Sequence, residues 1–364
     1  MPALSEYDIS TLAARFAEWG YPPSAAAKVL RRYYETGGES IDGPQIARGL
    51  RARLDAEFPL RSTQIVTRRL AADGTVKFLV GLPTNQPATR LLHTARAQSV
   101  ECVLMPSHRP DRAAGCVSSQ VGCAMGCDFC ASTKAGVERS LTAGEIVEQF
   151  LTLRAEAISL GRRLQTFVFM GMGEPLLNYD AVMTAIRRIA GQDLGAIGWR
   201  QVMVSTVGIV PRIDRLATEG VPLTLAISLH APDDDTRSAI VPTGRKYKVA
   251  DILAAARRYQ AAAGRPVNIE YTMLAGVNDS DAQAKLLADL LATDERMHVN
   301  LIPYNWIGPG VSGRVYQRPA DERMRRFAEI LTAGGVVAHF RRTRGDDIEG
   351  ACGQLRETVA TGRQ

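Results

Sequence analysis

The sequence predicts an α/β protein: a parallel sheet, either open or closed into an incomplete barrel, covered by helices and preceded by a small helical and β accessory segment. Three observations carry the prediction. Short, nearly continuous apolar runs rich in Val, Ile, Phe and Leu recur along the later part of the chain, as strands buried on both faces require. Helical segments with periodic apolar positions alternate with them. Successive runs end in Gly, Ser, His and Asn, residues suited to ligand-binding loops at the carboxyl edge of a parallel sheet.

In chain order, residues 8–19, 24–36 and 44–57 place apolar side chains at helical spacing, interrupted by Gly20-Tyr21-Pro22-Pro23 and Gly37-Gly38. Runs 64–67 and 76–80 flank the turn pair Asp73-Gly74, a hairpin signal. A strand at 100–105 leads toward a cysteine-rich loop, and a short strand at 116–120 directly precedes that loop. Strands are then expected at 166–170, 201–205, 223–228, 267–272, 298–302 and 336–340. Thr142-Ala143-Gly144-Glu145 is a capping box that opens a helix, and further helices are expected at 180–190, 250–263 and 281–291. The strand ends carry Gly171-Met172-Gly173-Glu174-Pro175, Ser205-Thr206, Ser228-Leu229-His230 and Pro303-Tyr304-Asn305, all toward one rim. The change in pattern puts a boundary near residue 95, giving an accessory domain at 1–95, a core at 96–345 and a C-terminal loop and tail at 346–364.

The 364 residues, 46% hydrophobic and 23% charged, suit a globular protein with one large domain and one small one. No apolar run approaches the length of a membrane span and the N-terminus lacks a signal pattern, so the cytoplasm is expected and no membrane partner. A net charge of +6, carried mostly by arginine, is compatible with an RNA partner. Each arginine pair, Arg341-Arg342 with Arg344 included, reads by itself as a solvated face.

Chemistry enters with Cys123-Ala124-Met125-Gly126-Cys127-Asp128-Phe129-Cys130. Three thiolates on one loop leave one iron of a [4Fe–4S] cluster without a protein ligand. An open iron can bind S-adenosylmethionine (SAM) and cleave it to a carbon radical, the radical SAM arrangement. Phe129, directly before the last cysteine, supports it. The competing reading is zinc with a distant fourth ligand, which would make the chain a zinc-stabilised RNA-binding module without catalysis. Structural zinc sites usually come as paired knuckles, and the chain has only one cysteine cluster. Outside it, Cys102 sits in an apolar strand as a small hydrophobe. Cys352, in Gly350-Ala351-Cys352-Gly353-Gln354-Leu355, sits in a polar, glycine-flanked loop suited to an exposed thiol, and Cys116 precedes the cluster motif.

Assembled, these residues resemble the RlmN/Cfr family of radical SAM RNA methyltransferases over about 101–355. The resemblance rests on Cys116-Val117-Ser118-Ser119-Gln120-Val121-Gly122-Cys123, the cluster motif, the 171–175 loop, Ser228-Leu229-His230-Ala231, Gly276-Val277-Asn278-Asp279, Val299-Asn300-Leu301-Ile302-Pro303 and the segment 347–355. It implies a partial (β/α)6 barrel and methylation of carbon 2 or carbon 8 of an adenosine in 23S rRNA, with a tRNA adenosine as a further candidate. Cys123, Cys127 and Cys130 would ligate the [4Fe–4S] cluster, while Gly173, Glu174, Ser205, Ser228, Leu229, His230 and Asn305 would line the SAM site. Cys352 would carry the methyl group, Cys116 would resolve the intermediate by a disulfide with Cys352, and Glu101 would accept the ring proton. The first hundred residues are similar to the family's RNA-handling appendage. Reduction of the cluster calls for an electron-donor protein such as a flavodoxin or ferredoxin. His298 and His339 read as core histidines, and Met172 as either packing or a neighbour of SAM.

Overall fold

Each early helix forms where the sequence supplies a start signal and an apolar stripe. Asp8 accepts from the Thr11 backbone at 2.8 Å and closes a capping box, so α1 (Ile9–Glu18) begins there and buries Leu12 and Phe16. α2 (Ala25–Glu35) buries Val29, Leu30, Tyr33 and Tyr34 along one stripe, and α3 (Arg48–Glu57) buries Leu50 and Leu54. The computed structural model describes residues 2–355 apart from 45, 84–97 and 295. The expected boundary near residue 95 and the tail after 355 lie outside the described residues.

Beyond α3 the chain builds one sheet. β1 (Gln64–Leu70) and β2 (Val76–Gly81) are antiparallel about the Asp73-Gly74 turn, and β3 (Ser99–Pro106) pairs antiparallel with β2. β4 (Arg112–Cys116) pairs antiparallel with β3 and opens the parallel series. That series continues through β7 (Arg163–Phe169), β8 (Val202–Thr206), β9 (Thr224–Ser228), β10 (Val267–Met273), β11 (Met297–Pro303) and β12 (Ala338–Phe340). The order β1-β2-β3-β4-β7-β8-β9-β10-β11-β12 has two free ends, so the ten-stranded sheet is not closed. Helices alternate with the parallel strands. The first, α4 (Ala143–Ser159), starts at the expected Thr142 capping box. Phe150 of α4 meets Phe167 edge-on at 5.5 Å, and Phe167 meets Phe169 in the same way at 5.5 Å. Such pairs add about 0.5–1.5 kcal/mol beyond buried area.

Two expected strands differ from what is found. The run 116–120 is not one strand: β4 stops at Cys116, and β5 (Gln120–Gly122) forms a separate hairpin with β6 (Val137–Ser140). Ser118 interrupts the strand because its polar groups are taken elsewhere. Its backbone N–H donates to Gln149 at 2.9 Å, and its hydroxyl donates to the Glu101 carbonyl at 2.6 Å and accepts from Met172 N–H at 2.9 Å. At 336–340 only 338–340 pairs, because the Val336 N–H closes the preceding helix against the Leu331 carbonyl at 3.0 Å. Among the described residues no helix is long and apolar enough to cross a membrane.

Several polar side chains seat the N-terminal segment on α4: Glu6 accepts from Thr142 Oγ1 at 2.6 Å and Arg61 donates to Thr152 Oγ1 at 2.6 Å, and one buried carboxyl group gathers the most bonds. Glu148, fully buried, accepts from Ser5 Oγ at 2.5 Å, from Ser62 N at 2.8 Å, from Ser62 Oγ at 2.9 Å and from Thr63 N at 2.7 Å.

Candidate functional site

The carboxyl ends of the parallel strands converge on a cavity of about 140 Å³. Cys123, Cys127 and Cys130 form one wall, held by the β5–β6 hairpin on one side and by Asp128 on the other. Asp128 accepts from Ser312 N at 2.7 Å and from the Tyr316 hydroxyl at 2.7 Å, which pins the cysteine loop to the segment after β11. Opposite lie Gly173 and Glu174 after β7, Ser205 on β8, Ser228 and His230 at the end of β9, and Asn305 after β11. The residues expected to line the SAM site are therefore brought together, Leu229 excepted. Leu229 is buried outside this cavity and offers its carbonyl to Arg237 Nε at 3.1 Å.

Gly173 has φ of 99°, and a Cβ there would sit 2.6 Å from Gln120, so only glycine lets the loop pass the cysteine hairpin this closely. Next to it, burial pushes the Glu174 carboxyl up to about 7, against the pull of the Val207 and Leu176 N–H groups and the Thr206 hydroxyl. Ser205 Oγ and Ser228 Oγ lie 3.2 Å apart. His230 takes φ of 62° and accepts the Thr272 N–H at Nδ1, 3.0 Å away, which leaves its proton on Nε2. Burial, with Arg237 adding to it, pushes His230 down to about 3, so it is neutral at physiological pH. Phe129 packs edge-on against it at 4.8 Å.

A second cavity, about 340 Å³, lies behind the first and contains Cys116. Cys352, Asn305, Met170 and Arg341 line both. All six cysteines are free thiols; Cys352 is exposed, Cys116 buried, and burial pushes the Cys116 thiol up to about 12. The Cys352 carbonyl accepts from Asn305 Nδ2 at 3.1 Å, which sets the loop between the cavities. Glu101 lines neither cavity. It shares a sheet face with Val103, whose cross-strand partner is Cys116, and forms a buried ion pair with Lys77 at 3.1 Å.

Arg341 corrects the reading of the C-terminal arginines as solvated. It shares the second cavity with the Cys116 and Cys352 thiols, and its guanidinium lies 3.2 Å from Glu270. Burial alone would push Arg341 down, but the Glu270 carboxylate reverses this and holds it firmly charged. The available signal was its place just past a strand end. Met170 likewise lines both cavities, whereas Met172 is buried outside them. The fully buried Arg237, lowered to about 10 by burial, also escaped sequence reasoning; it holds the Leu229 and Val207 carbonyls behind the site.

The residues present fit an iron–sulfur cluster with three protein ligands. The buried Cys123 and Cys127 and the half-buried Cys130 line one cavity, and desolvation pushes all three thiols up, Cys123 to about 12, so thiolates there need a bound positive centre. Thr133 Oγ1, on the same wall, is buried without a hydrogen-bond partner, as expected where a further group belongs. Among the described residues no three His, Cys, Asp or Glu side chains converge on a single-ion site. A cube of iron and sulfide binds its thiolates at separate corners and needs no such convergence.

Residues 117–287 match the radical SAM superfamily. A protein of Opitutus terrae named "Probable dual-specificity RNA methyltransferase RlmN 1" is 54% identical over 356 residues, 98% of this chain and 97% of its own. Another of Symbiobacterium thermophilum, named in the same way without the number, is 40% identical over 358 residues, 98% of this chain and 91% of its own. The crystal structure of a radical SAM methyltransferase from Sphaerobacter thermophilus is similar with a TM-score of 0.88 and 41% identity, covering 98% of this chain and 100% of that one.

Proposed function

Because this chain belongs to the RlmN family of radical SAM RNA methyltransferases, we propose that it methylates carbon 2 or carbon 8 of an adenosine in 23S rRNA by way of a methylated Cys352. A tRNA adenosine is the further substrate, which the shared name of the relatives, dual-specificity RNA methyltransferase, supports. The fold is the expected radical SAM α/β fold and the chain is an enzyme; a non-catalytic zinc module does not agree with near-full-length likeness to methyltransferases.

One observation carries the mechanism: Cys352, an exposed thiol, stands in the wall common to two cavities, one bearing the cluster cysteines and the other bearing Cys116. Cys123, Cys127 and Cys130 would hold the [4Fe–4S] cluster, and Gly173, Glu174, Ser205, Ser228, His230 and Asn305 would hold SAM. Bound there, the pair supplies a one-electron cleavage and a carbon radical, chemistry that no side chain of this protein offers. That chemistry is needed because carbons 2 and 8 of adenine are electron-poor and repel ordinary electrophilic methyl transfer.

The protein's own residues do the rest. Cys352 takes a methyl group from SAM as a thiolate, S-adenosylhomocysteine leaving, with the Arg341 guanidinium lining the same wall. Once the methyl carbon has joined the ring, Cys352 is tied to RNA. Cys116, across the second cavity, attacks the Cys352 sulfur: the S–S bond forms as the bond from that sulfur to the methylene carbon breaks, and the carbon takes the electron pair and the Cys116 proton to become the product's methyl group. Glu101, which lines neither cavity but shares its sheet face with the Val103–Cys116 pair, would take the ring proton only once the ring reaches past Cys116, with Lys77 balancing its charge. The second cavity suits the RNA strand: Arg341, Arg342 and Arg344 line it without any carboxylate, and the exposed Arg342 has no ion pair or side-chain hydrogen bond among the described residues. Residues 1–95 would help to hold the RNA, and a flavodoxin- or ferredoxin-like donor in the cytoplasm would reduce the cluster.

The test is anaerobic turnover on ribosomal RNA followed by mass analysis of its nucleosides, which reads both the methylation and its position. Cys352→Ala should give no product. Cys116→Ala should trap a protein–RNA adduct visible on a denaturing gel; free turnover by that variant rejects the assignment.

A further inference from the structure

We propose that the N-terminal β1–β2 hairpin, through Asp73 in its turn and Lys77 on β2, is the positioning element that holds the Cys352 loop between the two cavities. The inference rests on Cys352 and Cys116 being the carrier and resolving thiols.

The segment ahead of Cys352 has little structure of its own. Its one short 3-10 turn, Asp346–Ile348, is flanked by Gly345 at φ of 62° and Glu349 at φ of 54°. A left-handed glutamate costs roughly 1–2 kcal/mol and persists only where its surroundings impose it. Local bonds close the turn, with Glu349 N–H on the Asp346 carbonyl at 3.1 Å and Gly350 N–H on the Gly345 carbonyl at 2.8 Å, and residues 272 to 275 positions away in the chain fix where it sits. The Ala72 N–H donates to Asp347 Oδ2 at 2.9 Å, and the Gly345 N–H donates to Asp73 Oδ2 at 3.2 Å. Arg344 Nη1 lies 4.0 Å from the same Asp73 oxygen. Lys77 Nζ donates to the Glu349 carbonyl at 3.1 Å while pairing with Glu101 at 3.1 Å.

On the far side of Cys352 the barrel itself holds the chain. Asn305 donates to the Cys352 carbonyl at 3.1 Å, the Ala131 N–H donates to the Gly353 carbonyl at 2.7 Å, and Gln354 Nε2 donates to the Trp306 carbonyl at 3.3 Å. The loop is thus tethered downstream by the barrel and upstream by the hairpin. A carrier thiol that must serve two cavities needs limited play, because each lost tether dilutes it among unproductive positions. Lys77 adds a second consequence. One ammonium group bridges the Cys352 loop and Glu101, so the proposed proton acceptor and the carrier are registered against each other. The accessory segment thereby reaches the reacting thiol through side chains that touch neither SAM nor cluster.

The readout is the equilibrium Cys116-SH + Cys352-SH + glutathione disulfide ⇌ Cys116–Cys352 disulfide + two glutathione thiols, in which two hydrogens and two electrons pass to glutathione. Measured on the full-length, cluster-loaded protein without oxygen, it gives the effective molarity of one thiol at the other. Asp73→Ala and Lys77→Met should each lower it about tenfold, the loss of roughly one well-placed hydrogen bond, while Lys77→Arg stays near wild type. Asp294→Ala, which breaks the distant Arg257–Asp294 ion pair, should leave it unchanged. Asp73 lies in a half-exposed turn, so Asp73→Ala decides the matter if Lys77→Met does not fold. Wild-type values in Asp73→Ala would overturn the clamp alone. Failure of the wild type to form the disulfide would overturn the thiol-pair reading, and the clamp with it.

Discussion

Glu174 shows how one residue ties the fold to pH. Its ordinary pKa of 4.5 rises to about 7 because burial outweighs the N–H and hydroxyl groups that favour the anion. A carboxyl group raised on folding contributes stability fully below pH 4.5, and that contribution is lost as pH climbs through about 7. The change integrates to about 3 kcal/mol by linkage. Wild-type denaturation profiles between pH 5 and 8 should therefore carry a downward slope that Glu174→Gln lacks, and SAM should flatten the slope if its ammonium group sits against this carboxylate. Matching slopes with and without Glu174 would reject the assignment. His230 adds no step in that range, since burial has pushed it to about 3. Sequence reasoning reached both residues because each follows an apolar strand. It missed Arg341 because an arginine run has no periodicity to show which member turns inward, and the Glu270 that holds it lies on another strand.

At the scale of elements, the parallel strands and the Thr142 helix start were legible because burial on two faces leaves an apolar run and a capping box has fixed spacing. The β5–β6 hairpin was not, since three- and four-residue strands carry no period to read. The joining of β3 to β4 was equally hidden, because antiparallel register depends on distant partners. Yet the hairpin sets the cysteine loop. Gly122, at φ of 73°, lies so near the Gly136 carbonyl that an added Cβ would meet it at 2.0 Å. Gly122→Ala should part the two strands at a cost of about 2 kcal/mol or more in strain and contact. Iron and sulfide retained after anaerobic reconstitution should fall to less than about half of wild type, because three thiolates must meet one cube in register. Full occupancy in that variant would show that the hairpin does not set the ligands.

For the whole molecule, the accessory segment and the barrel behave as one body in which a few buried polar contacts join distant stretches of chain. Glu148 of α4 receives Ser5, Ser62 and Thr63, while Arg188 donates to the Ser5 and Glu6 carbonyls at 2.9 and 3.0 Å. The hairpin that holds the Cys352 loop begins at Gln64, directly after Thr63. Loss of the Glu148 anchor therefore acts at two places. Glu148→Ala leaves the buried donors of Ser5 and Thr63 and the half-buried ones of Ser62 without their acceptor and should cost about 3 kcal/mol of stability, since each unsatisfied buried donor costs roughly 1–3 kcal/mol. Glu148→Gln, which keeps one acceptor oxygen, should lose less. Loosened docking also frees the root of β1, so Glu148→Ala should lower the Cys116–Cys352 effective molarity as well, although it lies in neither cavity. Chemical denaturation reads the first effect and the glutathione equilibrium the second. A variant that loses stability while its thiol equilibrium stays at the wild-type value would show that the hairpin keeps its hold on Cys352 without the anchor, and that docking and carrier placement are independent properties of the fold.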